Sequence, residues 1–402
     1  MVLRARHGSA SYIISLKPHS LAVGRDDSQV VSWDLGGRLY SCYDEAATSR
    51  RGLDGRVLEK RGEGDHRTRQ FLPGVEADAL VDRAAAFARD VHGAMLSPSW
   101  TWLESVDPHE SQVIASHVEL CGRFTAAAGA ADAARFAATY RPIGILPPDQ
   151  YLSLVVQATE GCSFNTCTFC DLYHDGYRVK PVEEFATHVR AVRAYLGESA
   201  SLRSRGIFLG AANALAVPMP RLVPMFEILI EELDAIRKGV CAFIDAFTGG
   251  IKSVADYRLL GHLGLRRVYV GLESGHDPLL AFVRKPGTAA QAVETVRAIK
   301  AAGIQAGVIV MTGLGGRQFA AGHIADTIAA VNGMGLGPGD LLYFSDLVDV
   351  PGTSYPRIAL ASNLEPLDQA GRRDQREAIR AGVACGRGGV QCAAYDIREF
   401  VY

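Results

Sequence analysis

From Tyr151 onward the chain alternates short apolar runs with amphipathic stretches, and this alternation narrows its fold more than any other feature. Residues 152–157 predict a buried strand and 182–195 a helix, followed by a strand at 206–209 and a helix at 221–236. The pattern repeats as a strand at 241–246, a helix at 253–263, and a strand at 267–272. Thr288-Ala289-Ala290-Gln291 has the capping-box pattern and opens a helix with Ala289, Ala292, Val293, Val296 and Ile299 on one face. A strand at 305–311, a helix at 323–334 and a sixth strand at 341–344 complete the series. Strands separated by helices pair in parallel through right-handed crossovers, so the expected fold class is α/β. In such sheets the loops after the strands' C-terminal ends carry function.

The first 149 residues have a different texture. Residues 29–43 read as a hairpin, with two strand-forming runs around Gly36-Gly37. The charged stretch 56–66 reads as a loop. Residues 77–92 place Leu80, Ala84, Phe87, Ala88 and Val91 at helical spacing, and 108–124 and the alanine-rich 126–140 read as two further helices. The proline-rich segment Arg141 to Pro148 marks a boundary. The expected organisation is a smaller α+β N-terminal region over 1–149, an α/β core over 150–360, and a C-terminal extension over 361–402 packing on that core. With 402 residues, 48% hydrophobic and 21% charged, the chain can fill a sizeable core. Its 42 basic and 44 acidic residues leave a net charge of -2 and no long basic run, so nucleic acid is not the leading partner. No apolar stretch approaches the roughly 20 residues needed to span a bilayer. Residues 1–20 lack the apolar region and cleavage site of a signal peptide, so a cytoplasmic location is expected.

The loop after the first core strand reads Gly161-Cys162-Ser163-Phe164-Asn165-Thr166-Cys167-Thr168-Phe169-Cys170, a C-x4-C-x2-C pattern. Three thiolates are one short of the usual four-cysteine iron–sulfur set, so a cluster held this way keeps one iron open. Two other readings stand beside it. His174 follows Cys170 by four positions and completes a three-Cys, one-His zinc set, and three free buried thiols are also compatible. Eight cysteines in a chain of this length do not suggest a disulfide scaffold. Cys241 reads as a small buried hydrophobe. Cys385 and Cys392 flank a glycine-rich turn with too few other ligands nearby for a second metal site.

The stretch from about residue 152 to 356 resembles the radical S-adenosylmethionine (SAM) enzymes. It is similar to a branch with the pattern Gly-Cys-x-x-Asn-x-Cys-x-Phe-Cys, met here by Gly161, Cys162, Asn165, Cys167, Phe169 and Cys170. The commoner family form has three residues between the first two cysteines, whereas this chain has four. The resemblance implies a partial (βα)6 barrel in which Cys162, Cys167 and Cys170 each bind one iron of a 4Fe–4S cluster. The fourth iron would chelate the amino and carboxylate groups of SAM, whose reductive cleavage gives a 5′-deoxyadenosyl radical.

The same resemblance implies the SAM contacts. Phe169 is the aromatic residue before the last cysteine. Gly210 and Asn213 stand where the family holds the SAM amino group, although the usual acidic residue is missing. Glu273 and Ser274 would meet the ribose hydroxyls, with an ion pair from Glu273 to Arg267 or Arg284 as the plainer alternative. Ile309 and Gly313 would pack along adenine, with Met311 in place of the pattern's second glycine. Arg284 and Lys285 are candidates for the SAM carboxylate or simply solvated charges. Asp171, Tyr173, His174, Asp175, Tyr177, Asp346 and Asp349 are candidates for touching substrate, and no catalytic acid or base stands out.

The implied activity is hydrogen abstraction from an unactivated carbon of a small-molecule, lipid or natural-product substrate, with an electron donor such as flavodoxin or ferredoxin. The chain lacks the Asp-x-His-x-x-Gly pattern of a cobalamin domain, which disfavours cobalamin-dependent methylation. The alternatives are radical SAM modification of RNA or protein, with the N-terminal region as recognition module, and a zinc-stabilised, non-enzymatic binding module.

Overall fold

The structure is a computed structural model, and it describes residues 1–44, 47–62, 68–173, 176–245, 247, 252–350, 352–383 and 389–402. The N-terminal region is an antiparallel meander of Val2–His7 (β1), Ala10–Lys17 (β2), Ser20–Arg25 (β3), Gln29–Asp34 (β4), Leu39–Asp44 (β5), Ala47–Arg51 (β6), Val57–Arg61 (β7) and Thr68–Phe71 (β8). Trp100–Trp102 (β9) pairs with β1 and completes a nine-stranded sheet. The expected hairpin is therefore one turn of a much larger sheet. Its inner face takes alternate residues, such as Leu3 and Ala5, Leu21 and Val23, and Val31 and Trp33. The helix Gly74–Met95 (α1) lays Leu80, Ala84, Phe87, Ala88 and Val91 on that face, with Phe87 stacked 6.4 Å from Trp33. Pro108–Gly122 (α2) and Ala126–Thr139 (α3) follow, capped by Asp107 and Thr125 through the backbone N–H groups of His109 and Ala128.

The charged stretch 56–66, expected as a loop, contains the strand β7. Its Glu59 is buried, and Arg61 neutralises it with hydrogen bonds of 2.7 and 3.0 Å. Cross-residue pairing removes the charge that made the segment read as solvated.

The core comprises Leu154–Gln157 (β10), the short pair Thr159–Glu160 (β11) and Arg178–Val179 (β12), Ile207–Gly210 (β13), Val240–Ile244 (β14), Leu265–Glu273 (β15), Gln305–Thr312 (β16), Leu341–Asp346 (β17) and Gln391–Tyr395 (β18). Seven of these form one parallel sheet in the order β10-β13-β14-β15-β16-β17-β18. Six are the expected strands. The seventh corrects the expectation for the C-terminal extension, because β18 joins the sheet edge rather than packing against it, with Leu341 opposite Gln391 and Ser345 opposite Tyr395.

The helices are Val182–Leu196 (α4), Met219–Leu233 (α5), Ala235–Lys238 (α6), Val254–His262 (α7), Asp277–Phe282 (α8), Ala289–Ala301 (α9), Gly316–Gly333 (α10), Tyr355–Ala361 (α11) and Gln369–Gly382 (α12). The single helix expected at 221–236 is broken at Asp234, which adopts the left-handed φ of 56°. The capping box at Thr288 forms as its sequence predicts, and Ser253 forms another.

Residues from the C-terminal ends of the sheet strands border one cavity, so the sheet curves around it. Beneath the cavity, Asp149 from the connecting segment accepts hydrogen bonds from Arg267 (2.8 Å), the Tyr269 hydroxyl (2.6 Å) and the Tyr343 hydroxyl (2.9 Å). This carboxylate ties β15 to β17 from inside the curve.

Candidate active site

The cysteine loop leaves β11 at Gly161, whose φ of 69° favours glycine. Cys162, Cys167 and Cys170 all line the cavity, which has a volume of about 190 Å³. Backbone and side-chain bonds from four other segments hold the loop. Ser163 Oγ donates to Asp245 Oδ2 at 2.7 Å and accepts from Asn213 Nδ2 at 3.0 Å. Asn213 Oδ1 in turn accepts the Asp245 N–H at 2.9 Å. On the far side of the loop, the Thr168 N–H donates to Val283 O (3.0 Å), and Thr168 O accepts from the Tyr355 N–H (2.9 Å).

Burial pushes the Cys167 thiol up to about 12 and raises Cys170 as well, so without a metal to displace their protons both are neutral thiols and poor nucleophiles. Among the described residues, no three His, Cys, Asp or Glu side chains converge on a single ion. A tetrahedral zinc needs its ligand atoms within about 4 Å of one another. The three thiols line one cavity, the placement that a cluster taking one iron from each thiolate would need. His174 and Asp175 lie outside the described residues, as does Cys385.

Glu273 ends β15 at φ 60°, after a register shift against β16. The shift turns its carboxylate into the cavity, and a side chain at Gly271 would collide with it. Glu273 pairs with Lys285 at 3.6 Å, and both side chains are 13% exposed. The alternative partner Arg267 is taken by Asp149 and Gln305. Burial raises the Glu273 carboxyl, and Lys285 opposes that shift. Burial works against the Lys285 ammonium, but Glu273, Cys167 and Asp245 outweigh it and hold its pKa above the usual lysine value. Asp245 also lines the cavity, raised by burial and lowered in part by Lys285 and Ser163.

Phe169, Glu273 and Ile309 thus border the same cavity as the cysteines. Gly210 borders a smaller pocket beside Gln157 and Tyr173. Asn213, Ser274 and Gly313 do not line the main cavity. Asn213 braces the cysteine loop. Ser274 Oγ bonds His323 Nδ1 at 2.7 Å and accepts the His276 N–H at 3.0 Å. The Gly313 N–H donates to Gln375 Oε1 at 2.7 Å. Asp171 and Tyr173 line the cavity, whereas Asp346 is drawn away by Thr312 (2.5 Å) and Asp349 is exposed.

Sequence reasoning missed Asp245, Phe164, Phe247, Ser345, Tyr395 and Ile397, all of which border the cavity. Asp245 and Ser345 carried the same signal as Glu273, a polar residue at a strand's C-terminal end. Tyr395 and Ile397 carried none, because their strand was not foreseen.

Residues 156–327 match the Radical SAM superfamily. No curated protein matches the chain. Among solved structures, the chain is similar to coproporphyrinogen III oxidase (HemN) from Escherichia coli, titled a radical SAM enzyme, at 14% identity over 62% of this chain and 54% of that one, with a TM-score of 0.44. It is also similar to the radical SAM methyltransferase TsrM from Kitasatospora setae, bound to cobalamin and a 4Fe–4S cluster, at 14% identity over 61% and 56% and a TM-score of 0.42. Archaeal Elp3 from Methanocaldococcus infernus is matched at 12% identity over 60% and 56%, with a TM-score of 0.39. The chain spans about half the length of these structures.

Proposed function

We propose that the chain is a radical SAM enzyme, as the match of residues 156–327 to that superfamily supports, and that its cavity cleaves SAM and directs hydrogen abstraction from a small-molecule, lipid or natural-product substrate. One observation carries this reading: the three cysteines and Phe169 of one loop border the same cavity as the Glu273–Lys285 pair, more than a hundred residues away in sequence. A 4Fe–4S cluster with SAM, when bound, supplies the electron and the 5′-deoxyadenosyl radical that no protein side chain can supply.

The chain's own residues bind, orient and exclude water. Cys162, Cys167 and Cys170 would each hold one iron and leave one open to the amino and carboxylate groups of SAM. The charged Lys285 ammonium suits a carboxylate, and the Glu273 carboxylate suits a ribose diol. Ile309 offers an apolar surface to adenine. Gly210, Asn213, Ser274 and Gly313 serve as positioning residues, Asn213 by fixing Ser163 next to Cys162 and Ser274 by fixing the turn after Glu273. Phe164 and Phe247 meet edge-on at 4.5 Å in the cavity wall and, with Tyr173, keep water from a reactive radical. The electron donor is of the flavodoxin or ferredoxin type. No helix among the described residues is long and apolar enough to cross a membrane.

Anaerobic reconstitution with iron and sulfide tests the reading. The expected result is a brown protein whose reduced form gives a paramagnetic resonance signal that changes on adding SAM, together with release of 5′-deoxyadenosine under dithionite. A protein that takes up zinc and never assembles a cluster would sink it.

A further inference from the structure

The sheet edge farthest in strand order from the cysteine loop is built by β17 and β18, beyond the segment 156–327 that matches the superfamily. Ser345 and Tyr395 are partners in the β17–β18 register, and both line the cavity. Ser345 is 2% exposed, and its Oγ makes no bond of good geometry among the described residues, although it lies close enough to the Tyr395 hydroxyl to interact with it. A buried hydroxyl left in this state costs about 1–3 kcal/mol. Native proteins keep few such groups, and one that faces a cavity marks a place where a ligand completes the bond.

Tyr395 is held rigidly beside it. The Tyr343 ring meets it edge-on at 5.6 Å, and the Tyr343 hydroxyl is fixed by Asp149 at 2.9 Å. Burial, with Glu273 adding to the effect and the Ser345 hydroxyl opposing it in part, raises the Tyr395 phenol above the usual tyrosine value, so it remains a neutral hydroxyl. Glu273, the charge that bears on Tyr395, is itself paired with Lys285. Ile309, Met311, Val350 and Ile397 border the same cavity and carry no charge, whereas its charged lining among the described residues is Asp171, Asp245, Glu273 and Lys285. A charged substrate group placed here would lose its water and meet Glu273 and Lys285 already paired with each other, which is unfavourable. A neutral hydroxyl or carbonyl would gain the missing bond to Ser345.

We propose that Ser345 and Tyr395 form a neutral hydrogen-bonding subsite that selects substrates carrying an uncharged hydroxyl or carbonyl on an apolar body. The proposal rests on the cavity being the radical SAM site and adds the substrate class that it admits.

Three matched probes test it: 4-phenylbutan-1-ol, 4-phenylbutyrate and 4-phenylbutylamine, titrated calorimetrically into the reconstituted protein with SAM. The alcohol should bind at least ~10-fold more tightly than the acid or the amine, as expected for desolvating an unpaired charge. Ser345→Ala and Tyr395→Phe should each weaken the alcohol by about 3- to 10-fold, the effect of one hydrogen bond, and leave the charged probes unaffected. The proposal is overturned if either charged probe binds as tightly as the alcohol, if neither substitution weakens the alcohol, or if no probe binds. The resonance signal of the same preparations reports on the cysteines alone. A normal signal with the wrong ranking refutes only the subsite, whereas an absent cluster refutes the earlier reading.

Discussion

At the residue scale, the chemistry divides between groups adjacent in the chain and groups that only folding assembles. Cys162, Cys167 and Cys170 belong to the first kind, and their spacing was legible because one loop supplies every protein ligand. Replacing any one of them with alanine leaves two thiolates for the cluster. Each variant should lose the cluster's visible absorbance and its 5′-deoxyadenosine release while keeping wild-type far-ultraviolet dichroism, and retention of full activity by any of them would exclude that cysteine as a ligand. The Glu273–Lys285 pair belongs to the second kind. The sequence pointed to Glu273 at a strand end, but its partner became evident only in the fold, because Lys285 lies beyond α8. Lys285→Met leaves the Glu273 carboxylate buried without a counter-charge. Breaking a buried pair from one side costs about 3–5 kcal/mol. Chemical denaturation should show a loss of that order, and calorimetry should show weaker SAM binding. Glu273→Gln in the same background should recover part of the stability and none of the SAM affinity.

At the element scale, the parallel strands were readable because each is a short apolar run bounded by helices. The N-terminal strands were not, since several of their sheet positions carry small or polar residues such as Ala5, Ala22 and Gly24, which give alternation a weak hydrophobic contrast. β18 was hidden for the same reason, because Gln391-Cys392-Ala393-Ala394-Tyr395 has little apolar bulk.

The strand that leads to the cysteine loop has a titratable support of its own. His188 on α4 accepts the Gln157 N–H through Nε2 at 3.0 Å and meets Tyr140 edge-on at 5.6 Å. Burial, with Lys180 adding to it, lowers its pKa to about 4. The unfolded chain binds this proton near pH 6.5, so between pH 6.5 and 4 the unfolded state holds more protons than the folded one. The contribution of His188 is therefore complete above about pH 6.5, falls as the pH drops toward 4, and is flat below that. The shift amounts to about 3 kcal/mol at most. Urea denaturation at a series of pH values should show a decline across that window that is missing in His188→Gln. Identical slopes in the two proteins would assign the acid sensitivity elsewhere.

At the scale of the whole molecule, the question is what makes the nine-stranded sheet and the parallel sheet behave as one body. The ties join residues far apart in sequence, so no local pattern announced them. At one end, Tyr402 takes the Val155 N–H on its hydroxyl at 2.9 Å and donates to Ser153 O at 3.2 Å. The nearby C-terminal acids Asp396 and Glu399 pair with Arg69 and Lys60 of the N-terminal sheet. At the other end, Arg38 leaves the turn between β4 and β5 and is 9% exposed among core elements. Its guanidinium donates to Asp132 of α3 at 2.9 Å, to Tyr195 O at 2.9 Å, to Leu196 O at 3.2 Å and to the Ser199 hydroxyl. Tyr195 and Leu196 end α4, so Arg38 satisfies carbonyls that the helix itself leaves open and places a cation at the negative end of its dipole. Arg38→Met would remove all four donations and strand Asp132, itself 6% exposed, without its charge partner. A loss of about 3–5 kcal/mol is expected. Because the loss falls on the junction, differential scanning calorimetry should show one transition for the wild type and two for the variant, with the N-terminal sheet melting first. Arg38→Lys keeps a point charge for Asp132 but not the fork that reaches both carbonyls, so it should recover less than half of the loss. A single transition within about 1 kcal/mol of wild type in Arg38→Met would show that the C-terminal ties alone join the two sheets.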